Sequence, residues 1–279
     1  MANSKILVPV DGSTSSLIAE ETAAKIAKNT GATITVLHVM KEIRLGYSLP
    51  QNIQDEISGH IEQEAVKITN EAKAIFMEEG IPVDSKIESL YDPAESILKL
   101  SKDYDLIVMG AHGENEKDTY ALGSVTKKVM RYSKRPILIT KKVSALSNLL
   151  VCVDGSKSSI RALRYGVKLA KKIGSAITLL NVQEKRIFEA APEIVKDLGE
   201  NILSEAMKAA GRTKLRINKK LEFGVPSDVI VEVAEKGNYD LIIVGSRGLG
   251  KVKRFLLGSV SDDVSYKAKC SVLIVPAKA

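Results

Sequence analysis

The chain carries one glycine-containing pattern twice, and this repeat constrains its fold more than any other feature. Residues 110–124 read GAHGENEKDTYALGS and residues 245–259 read GSRGLGKVKRFLLGS, so both fit G-x2-G-x9-G-S. Each copy follows an aliphatic run that is typical of a strand buried on both faces. Glycines at the end of such a strand let a ligand approach bare backbone, and the final Gly-Ser opens a helix whose first N–H groups attract anions. The pattern predicts two phosphate-binding loops.

The repeat extends over both halves of the chain. KILVPVDGS, ending at Ser13, matches LLVCVDGS, ending at Ser156, so Asp11 corresponds to Asp154. A chain of 279 residues is long enough for two substantial cores. Two domains are therefore predicted, over residues 1–143 and 148–279.

Strands and helices alternate in each half, which is typical of a parallel, doubly wound α/β sheet. The predicted strands of the first half are 5–10, 33–39, 83–88, 105–109 and 136–140. Those of the second half are 149–153, 176–182, 216–222, 240–244 and 271–275. The first half has eight more residues before its glycine pattern, and we expect them in a polar loop within residues 46–60.

The helices carry end signals that repeat between the halves. Serine is favoured at the N-cap, glycine follows a helix C-terminus in the left-handed conformation, and proline fits a first helical turn. The residues in these three roles are Ser13 and Ser156, Gly31 and Gly174, and Pro93 and Pro226.

In an open parallel sheet, ligands bind beyond the carboxyl ends of the strands. At that edge an aspartate can accept hydrogen bonds from ribose hydroxyls, a valine backbone can contact an adenine edge, and the glycine pattern can bind phosphates. A nucleoside phosphate matches all three features. The candidate residues of the first half are Asp11, Val39, Gly110, His112, Gly113, Gly123, Ser124, Val125 and Thr126. Those of the second half are Asp154, Val182, Gly245, Arg247, Gly248, Gly258, Ser259, Val260 and Ser261.

These motifs resemble those of the universal stress protein family, and the similarity covers essentially all of both halves. The chain resembles a tandem member of the type that binds ATP or AMP. The resemblance implies two five-stranded, Rossmann-like domains of the adenine-nucleotide-binding kind, with Asp11 and Asp154 at the ribose and Val39 and Val182 at the adenine. It also implies that the last strands of the two halves pair as an intramolecular pseudo-dimer. We further expect a role in the stress response, an unidentified protein partner and a homodimer of the tandem chain.

The two candidate sites differ in charge. The first half carries a net −2 and the second a net +9, from 18 basic against 20 acidic residues and 23 against 14. The first glycine pattern contains three acidic residues, Glu114, Glu116 and Asp118, and one basic residue, Lys117. The second contains three basic residues, Lys251, Lys253 and Arg254, and no acidic one. We therefore predict tighter ATP binding at 245–261. The site at 110–126 would be weaker, would need magnesium, or would prefer fewer phosphates; alternatively, these side chains point to solvent and the backbone alone binds.

The sequence offers no catalytic constellation and no metal-ligand cluster, so a binding protein is favoured over an enzyme. His38 is expected in the core, and His60 in the extra loop. Slow ATP hydrolysis remains an alternative, as does a polyanion-binding surface around the basic residues 212–220. With 4% aromatic residues and no tryptophan there are few stacking platforms, which makes nucleic acid an unfavoured partner.

Composition fits a globular chain, with 44% hydrophobic residues and 27% charged residues. No apolar run is long enough to span a bilayer, and the chain enters a strand directly. We therefore expect a cytoplasmic location, no membrane partner and no disulfide between Cys152 and Cys270.

Overall fold

The computed structural model of the protein describes residues 4–41, 50–90, 92–113, 122–248 and 257–277. The elements of the first half are β1 Lys5–Val10, α1 Thr14–Thr30, β2 Thr33–Lys41, α2 Gln51–Glu78, β3 Val83–Leu90, α3 Pro93–Leu100, β4 Leu106–Gly110, α4 Ser124–Tyr132 and β5 Ile137–Thr140. Those of the second half are β6 Asn148–Cys152, α5 Lys157–Ile173, β7 Ala176–Gln183, α6 Lys185–Ala190, α7 Pro192–Ala210, β8 Ile217–Phe223, α8 Pro226–Lys236, β9 Leu241–Gly245, α9 Ser259–Lys267 and β10 Ser271–Val275. Every predicted strand is present, with ends that shift by at most two residues.

The strands form one sheet of ten, in the order β3-β2-β1-β4-β5-β10-β9-β6-β7-β8. All pairings within a half are parallel, as the alternating pattern predicts. The halves join through β5 and β10, which run antiparallel with Leu138 opposite Leu273. Two repeated doubly wound domains therefore form an intramolecular pseudo-dimer, and this expectation is confirmed.

The helices begin and end where the sequence signals indicate. Ser13 Oγ accepts a hydrogen bond from the Ser16 N–H, and Ser156 Oγ accepts one from the Ser159 N–H. Gly31 follows α1 with a φ of 69°, a left-handed conformation that costs a residue with a Cβ about 1 kcal/mol. Pro93 and Pro226 both open a helix in the first turn, where no backbone N–H is required.

Buried side chains form one apolar layer on each face of the sheet, and each layer includes residues of both halves. The layer beneath α1, α2, α5 and α7 contains Leu138 and Leu273, which meet at the join. The opposite layer, beneath α3, α4, α8 and α9, contains Ile137, Ile139 and Val272. The join between the halves is thus part of the main hydrophobic core.

One sequence expectation about the fold is wrong. Residues 51–60 belong to the 28-residue helix α2 and not to a loop, so His60 is helical. The polar composition of this stretch concealed a helical spacing of apolar residues, because only one face of α2 packs against the protein. Residues 46–49 lie outside the described ranges.

Within the described ranges, no helix combines the length and the apolar character that crossing a membrane requires. Cys152 and Cys270 are free thiols. Burial raises the pKa of both, that of Cys270 to about 11, so both are protonated at neutral pH.

Replacing Leu273 by alanine should lower the free energy of unfolding by about 2–4 kcal/mol, because the change leaves a cavity in the core at the join. Leu273 is 1% exposed, whereas Leu198 on α7 is 51% exposed. Leu198→Ala is the matched control and should change stability by no more than about 0.5 kcal/mol. Urea denaturation measures both variants; equal losses would contradict a core shared across β5 and β10.

Candidate functional site

A cavity of about 780 Å³ opens at the carboxyl edge of the strands in the first half. It collects all nine residues that the sequence singled out there. These are Asp11, Val39, Gly110, His112, Gly113, Gly123, Ser124, Val125 and Thr126. They come from the ends of β1, β2 and β4 and from the first turn of α4, so the fold brings together residues more than 100 positions apart.

The glycines of the cavity are placed where a side chain would not fit. A Cβ at Gly110 would lie 2.6 Å from the backbone oxygen of Ser15, well inside van der Waals contact. A Cβ at Gly113 would lie 3.0 Å from Asp11 Oδ2. The glycine segment therefore packs against the β1–α1 turn through bare backbone, and the Asp11 carboxylate lies next to it.

Both ends of the glycine segment are fixed by hydrogen bonds. The Gly123 N–H donates to the Ala111 carbonyl over 2.8 Å, and Thr126 Oγ1 donates to the Gly110 carbonyl over 2.9 Å. The His112 N–H donates to Ser15 Oγ over 3.2 Å. These bonds hold the N-terminus of α4 against the end of β4, and the first residues of α4 line the cavity.

One wall of the cavity comes from α2, and the sequence interpretation missed it. Ile61, Glu64, Ala65 and Ile68 line this side. Ile68 packs over the β1–α1 turn, where a Cβ at Gly12 would lie 3.3 Å from its Cγ1. The spacing of Ile61, Ala65 and Ile68 by four and three residues is the helical signal that identifies this wall.

The opposite wall comes from α3 and α4 and carries an ion pair. Lys128 contacts Asp92 and lies 3.3 Å from Glu95 Oε1. The Lys128 hydrogen bond lowers the pKa of the Asp92 carboxyl. Both Asp92 and Lys128 line the cavity, so a cation and an anion lie side by side at its rim.

Two histidines, His38 and His112, lie at the first site, and the expectation that His38 belongs to the core is wrong. His38 lines the cavity and is only partly buried, so it is not a core residue. Its Nδ1 lies 2.9 Å from the Val10 carbonyl oxygen, near the ends of β1 and β2. Asn181 makes the corresponding bond in the second half, to the Val153 carbonyl over 2.7 Å. His112 lines the cavity as expected, and its buried Nδ1 has no hydrogen-bond partner among the described residues.

The second half repeats the backbone arrangement. A Cβ at Gly245 would lie 2.6 Å from Ser158 Oγ, and one at Gly248 would lie 2.6 Å from Asp154 Oδ2. The Gly258 N–H donates to the Ser246 carbonyl over 2.9 Å, which parallels the bond between Gly123 and Ala111. The turn after β6 and the glycine segment after β9 therefore pack together as their counterparts do.

The remaining candidates of the second half lie around this turn. Ser261 Oγ donates to the Gly258 carbonyl over 2.9 Å, and Ser156 Oγ lies 3.5 Å from the Arg247 carbonyl oxygen. Val182 lies near the end of β7, and Ser259 and Val260 open α9. The charged residues expected to distinguish the loops lie outside the described residues. They are Glu114, Glu116, Lys117 and Asp118 in the first pattern and Lys251, Lys253 and Arg254 in the second.

Three acidic side chains in or behind the first site have apolar counterparts in the second, whereas Lys128 at the rim of the first cavity corresponds to Asp263. Glu20, buried behind Ser16, corresponds to Leu163. Asp92 and Val225 both precede the proline that opens a helix. Ile202 packs on Gly155 as Ile68 packs on Gly12, which aligns Leu198 with Glu64.

Burial, with a smaller contribution from the nearby Asp11, raises the pKa of the Glu20 carboxyl to about 7. Ser16 Oγ, which lines the cavity wall, donates to Glu20 Oε1 over 3.1 Å and partly offsets this shift. The group therefore titrates near neutral pH directly behind the first site. Among the described residues, no three histidine, cysteine, aspartate or glutamate side chains lie close enough to hold a metal ion.

Residues 2–141 and residues 146–276 each match the sequence profile of the Universal stress protein family. The chain belongs to this family. It is a tandem member, since the two matches together span nearly its whole length. Universal stress protein MJ0531 of Methanocaldococcus jannaschii is 32% identical over 136 residues, which are 46% of this chain and 80% of that protein.

Among the solved structures of family members, one matches this chain over nearly its whole length and another over about half of it. A universal stress protein of Archaeoglobus fulgidus superposes with a TM-score of 0.75 at 26% identity and covers 99% of this chain and 100% of its own. A universal stress protein solved in complex with cAMP is 33% identical, covers 47% of this chain and 98% of its own, and has a TM-score of 0.40.

Replacing Gly110 by alanine should destabilise the protein by about 1–3 kcal/mol, because the new methyl group would collide with the Ser15 backbone. Gly59→Ala is the matched control, since a Cβ there meets nothing within 4 Å and alanine favours the α2 helix by about 0.5–1 kcal/mol. Urea denaturation measures both. A Gly110→Ala protein as stable as the wild type would show that the β4 end is not tightly packed.

Replacing Glu20 by glutamine should raise the free energy of unfolding at pH 8 by about 2 kcal/mol and at pH 5 by less than about 1 kcal/mol. The folded pKa lies above the ordinary glutamate value of 4.5, so the stability that Glu20 contributes is fully present below pH 4.5 and is lost as the pH rises through about 7. The exposed Glu21→Gln is the control. Denaturation at both pH values measures the change; an equal effect at pH 5 and pH 8 would contradict a buried titrating carboxyl.

Proposed function

We propose that the protein is a regulatory protein of the stress response that binds an adenine nucleotide, ATP or AMP, at one site in each predicted domain, 1–143 and 148–279. The observation that carries this proposal is the cavity of the first half, which gathers all nine candidate residues around a glycine segment with no room for side chains. Its volume of about 780 Å³ lies within the range of about 300–1,000 Å³ that is usual for small-molecule sites.

Each part of the nucleotide has a matching part of the site. The Asp11 carboxylate adjoins the glycine segment at the end of β1 and would accept hydrogen bonds from the ribose hydroxyls. The backbone of Val39 at the end of β2 would contact the adenine. The glycine segment and the first turn of α4 would bind the phosphates, because a helix N-terminus attracts anions.

The second site would bind in the same way through Asp154, Val182 and the segment from Gly245 to Ser261. We propose that it binds ATP more tightly than the first. Arg247 replaces His112, and the acidic Glu64 and Asp92, which line the first cavity, have no acidic counterparts. A triphosphate near these carboxylates would lose affinity by repulsion, so the first site would need a bridging magnesium ion or would favour AMP.

A regulatory role fits the cavity better than an enzymatic one. Among its described lining residues, Asp92 is already paired with Lys128, and Asp11 accepts a hydrogen bond from the Ser13 N–H over 3.1 Å. The nucleotide would then act by occupying the edge of the sheet, where an unidentified protein partner would read its presence.

Calorimetric titration of the wild type with ATP and with AMP should show two sites per chain of unequal affinity. Asp154→Ala should lower the ATP affinity of the tighter site, and Asp11→Ala that of the weaker site. Each affinity should fall by about tenfold or more, because the ribose loses its acceptor. Adding magnesium should strengthen the site that survives in Asp154→Ala more than the site that survives in Asp11→Ala.

Asp84→Ala, on the outer strand β3 and away from the cavity, is the control and should leave both affinities unchanged. Denaturation curves exclude misfolding of the variants. Equal losses from Asp11→Ala and Asp154→Ala would contradict the unequal sites, and unchanged affinity in both would contradict the nucleotide site itself. Titration with cAMP tests whether a cyclic phosphate is preferred.

A further inference from the structure

Helix α5 presents an uninterrupted basic face. Its 17 residues include six lysines and arginines and no acidic residue. The six are Lys157, Arg161, Arg164, Lys168, Lys171 and Lys172. The first five are spaced by three and four residues, which places about four turns of positive charge along one side of the helix, over about 22 Å at 1.5 Å per residue. We call these six residues the α5 basic stripe.

The stripe is not neutralised by the rest of the described protein. Twelve ion pairs join described residues, and none involves a residue of the stripe. The Lys172 ammonium donates to the Thr30 carbonyl over 3.0 Å, and Arg161 Nη1 lies 3.4 Å from the Ala277 carbonyl oxygen. Lysines on other helices of this half, such as Lys208 and Lys236, contact a glutamate one turn away.

The equivalent helix of the first half has no such face. Repeat alignment places Glu21 of α1 at the position of Arg164, and Thr14 at that of Lys157. Both helices bury the same kind of apolar side against the sheet. The basic face of α5 is therefore not a requirement of the fold, because α1 builds the same element without it.

A shallow groove of about 570 Å³ extends the stripe at the C-terminal end of α5. Lys171 lines one side, and Arg212, Thr213 and Lys214 of the turn before β8 line the other. Three cations thus converge on an open concave surface. It lies at the edge of the second half opposite to the candidate nucleotide site, because α5 begins beside Asp154 and ends at the far edge.

We infer that the α5 basic stripe and the adjoining groove bind the phosphate backbone of double-stranded nucleic acid, without reading its sequence. A duplex carries about one negative charge per 1.7 Å of its axis with both strands counted, so the stripe runs along a length of about 22 Å that holds about 13 phosphate charges, of which it faces one side. The cations stand on a helix that is already formed, so binding does not require the backbone to become ordered. This binding is independent of the proposed nucleotide sites.

The composition of the surface favours a duplex over two other polyanions. Anionic membranes are bound most firmly where apolar side chains insert beside the cations, and α5 has no large exposed hydrophobic residue. Single strands are bound by aromatic stacking, and the only aromatic residue of α5, Tyr165, is directed toward the core. The scarcity of aromatic residues thus counts against single strands, not against a duplex bound through its backbone.

Only part of the basic cluster at residues 212–220 belongs to this surface. Lys219 lies 3.5 Å from Glu200 Oε2, and Lys220 lies 3.1 Å from Glu222 Oε1, so the strand part of the cluster is compensated. Arg212 and Lys214 face the groove with Lys171. Arg212 and Lys214 are thus the part of the cluster that adjoins the stripe, and the main part of the surface is on α5.

Fluorescence anisotropy with a labelled 20-base-pair duplex tests this inference on the full chain. We expect micromolar binding at 50 mM KCl and a slope of log K against log salt near −4 to −5, as five or so phosphate contacts give. The triple variant Arg164→Gln, Lys168→Gln, Lys171→Gln should weaken binding at least tenfold and make the slope shallower by about 2 to 3.

The control triple variant is Lys185→Gln, Lys208→Gln, Lys236→Gln, which removes the same net charge from helix lysines that pair with glutamates. It should change duplex affinity less than twofold. Circular dichroism and ATP titration check that both triple variants fold. Equal weakening by both, or no wild-type binding up to about 100 µM duplex, would overturn the inference.

Two further probes separate the alternatives. Tighter binding to the single strand of the same length would overturn the duplex assignment. So would sedimentation of the wild type with phosphatidylserine vesicles in the absence of duplex binding. Because Asp11→Ala and Asp154→Ala leave the stripe intact, duplex binding should survive in both, whatever becomes of nucleotide binding.

Discussion

The antiparallel pairing of β5 with β10 is the contact on which the rest of the structure depends. It joins two parallel half-sheets into one sheet of ten strands and makes each hydrophobic layer continuous across the halves. Since the two strands run in opposite directions, the carboxyl edges of the halves face opposite sides of the molecule. Each candidate site therefore has its own edge, and the tandem chain reproduces within itself the relation between two copies of one domain.

The two sites show how a duplicated backbone can diverge in chemistry. Both halves pack a glycine segment against the turn after the first strand, at distances that exclude a Cβ at Gly110 or Gly245. This contact is steric, so it persists through the repeat. The side chains around it are free to change, and Glu20 behind the first site is Leu163 behind the second. Selection between anionic ligands would then come from the surrounding charge, while the glycine segments supply the shared phosphate-binding backbone.

The outer surface has diverged as well. On α1 and α5, the apolar side is fixed by the sheet that it covers, whereas the outer side carries mixed charge in one helix and only positive charge in the other. This difference explains why the overall charge is a poor guide to partners. Much of the positive charge of the second half lies on one helix face and one turn, where its field adds up. Lys219 and Lys220 of the outer strand β8 are instead paired with glutamates.

The sequence alone determined the strand–helix alternation, the helix caps and the residues of both glycine patterns, because each depends on local spacing or on a backbone conformation that few residues adopt. The family resemblance supplied the pairing of the last strands. The tertiary structure decided which distant side chains complete the first site: the wall of α2, the position of His38 and the burial of Glu20. These could not be read from the sequence, since a mostly polar helix and a lone histidine or glutamate have no local signature of the surface they face. Burial and proximity arise only when separate elements pack together.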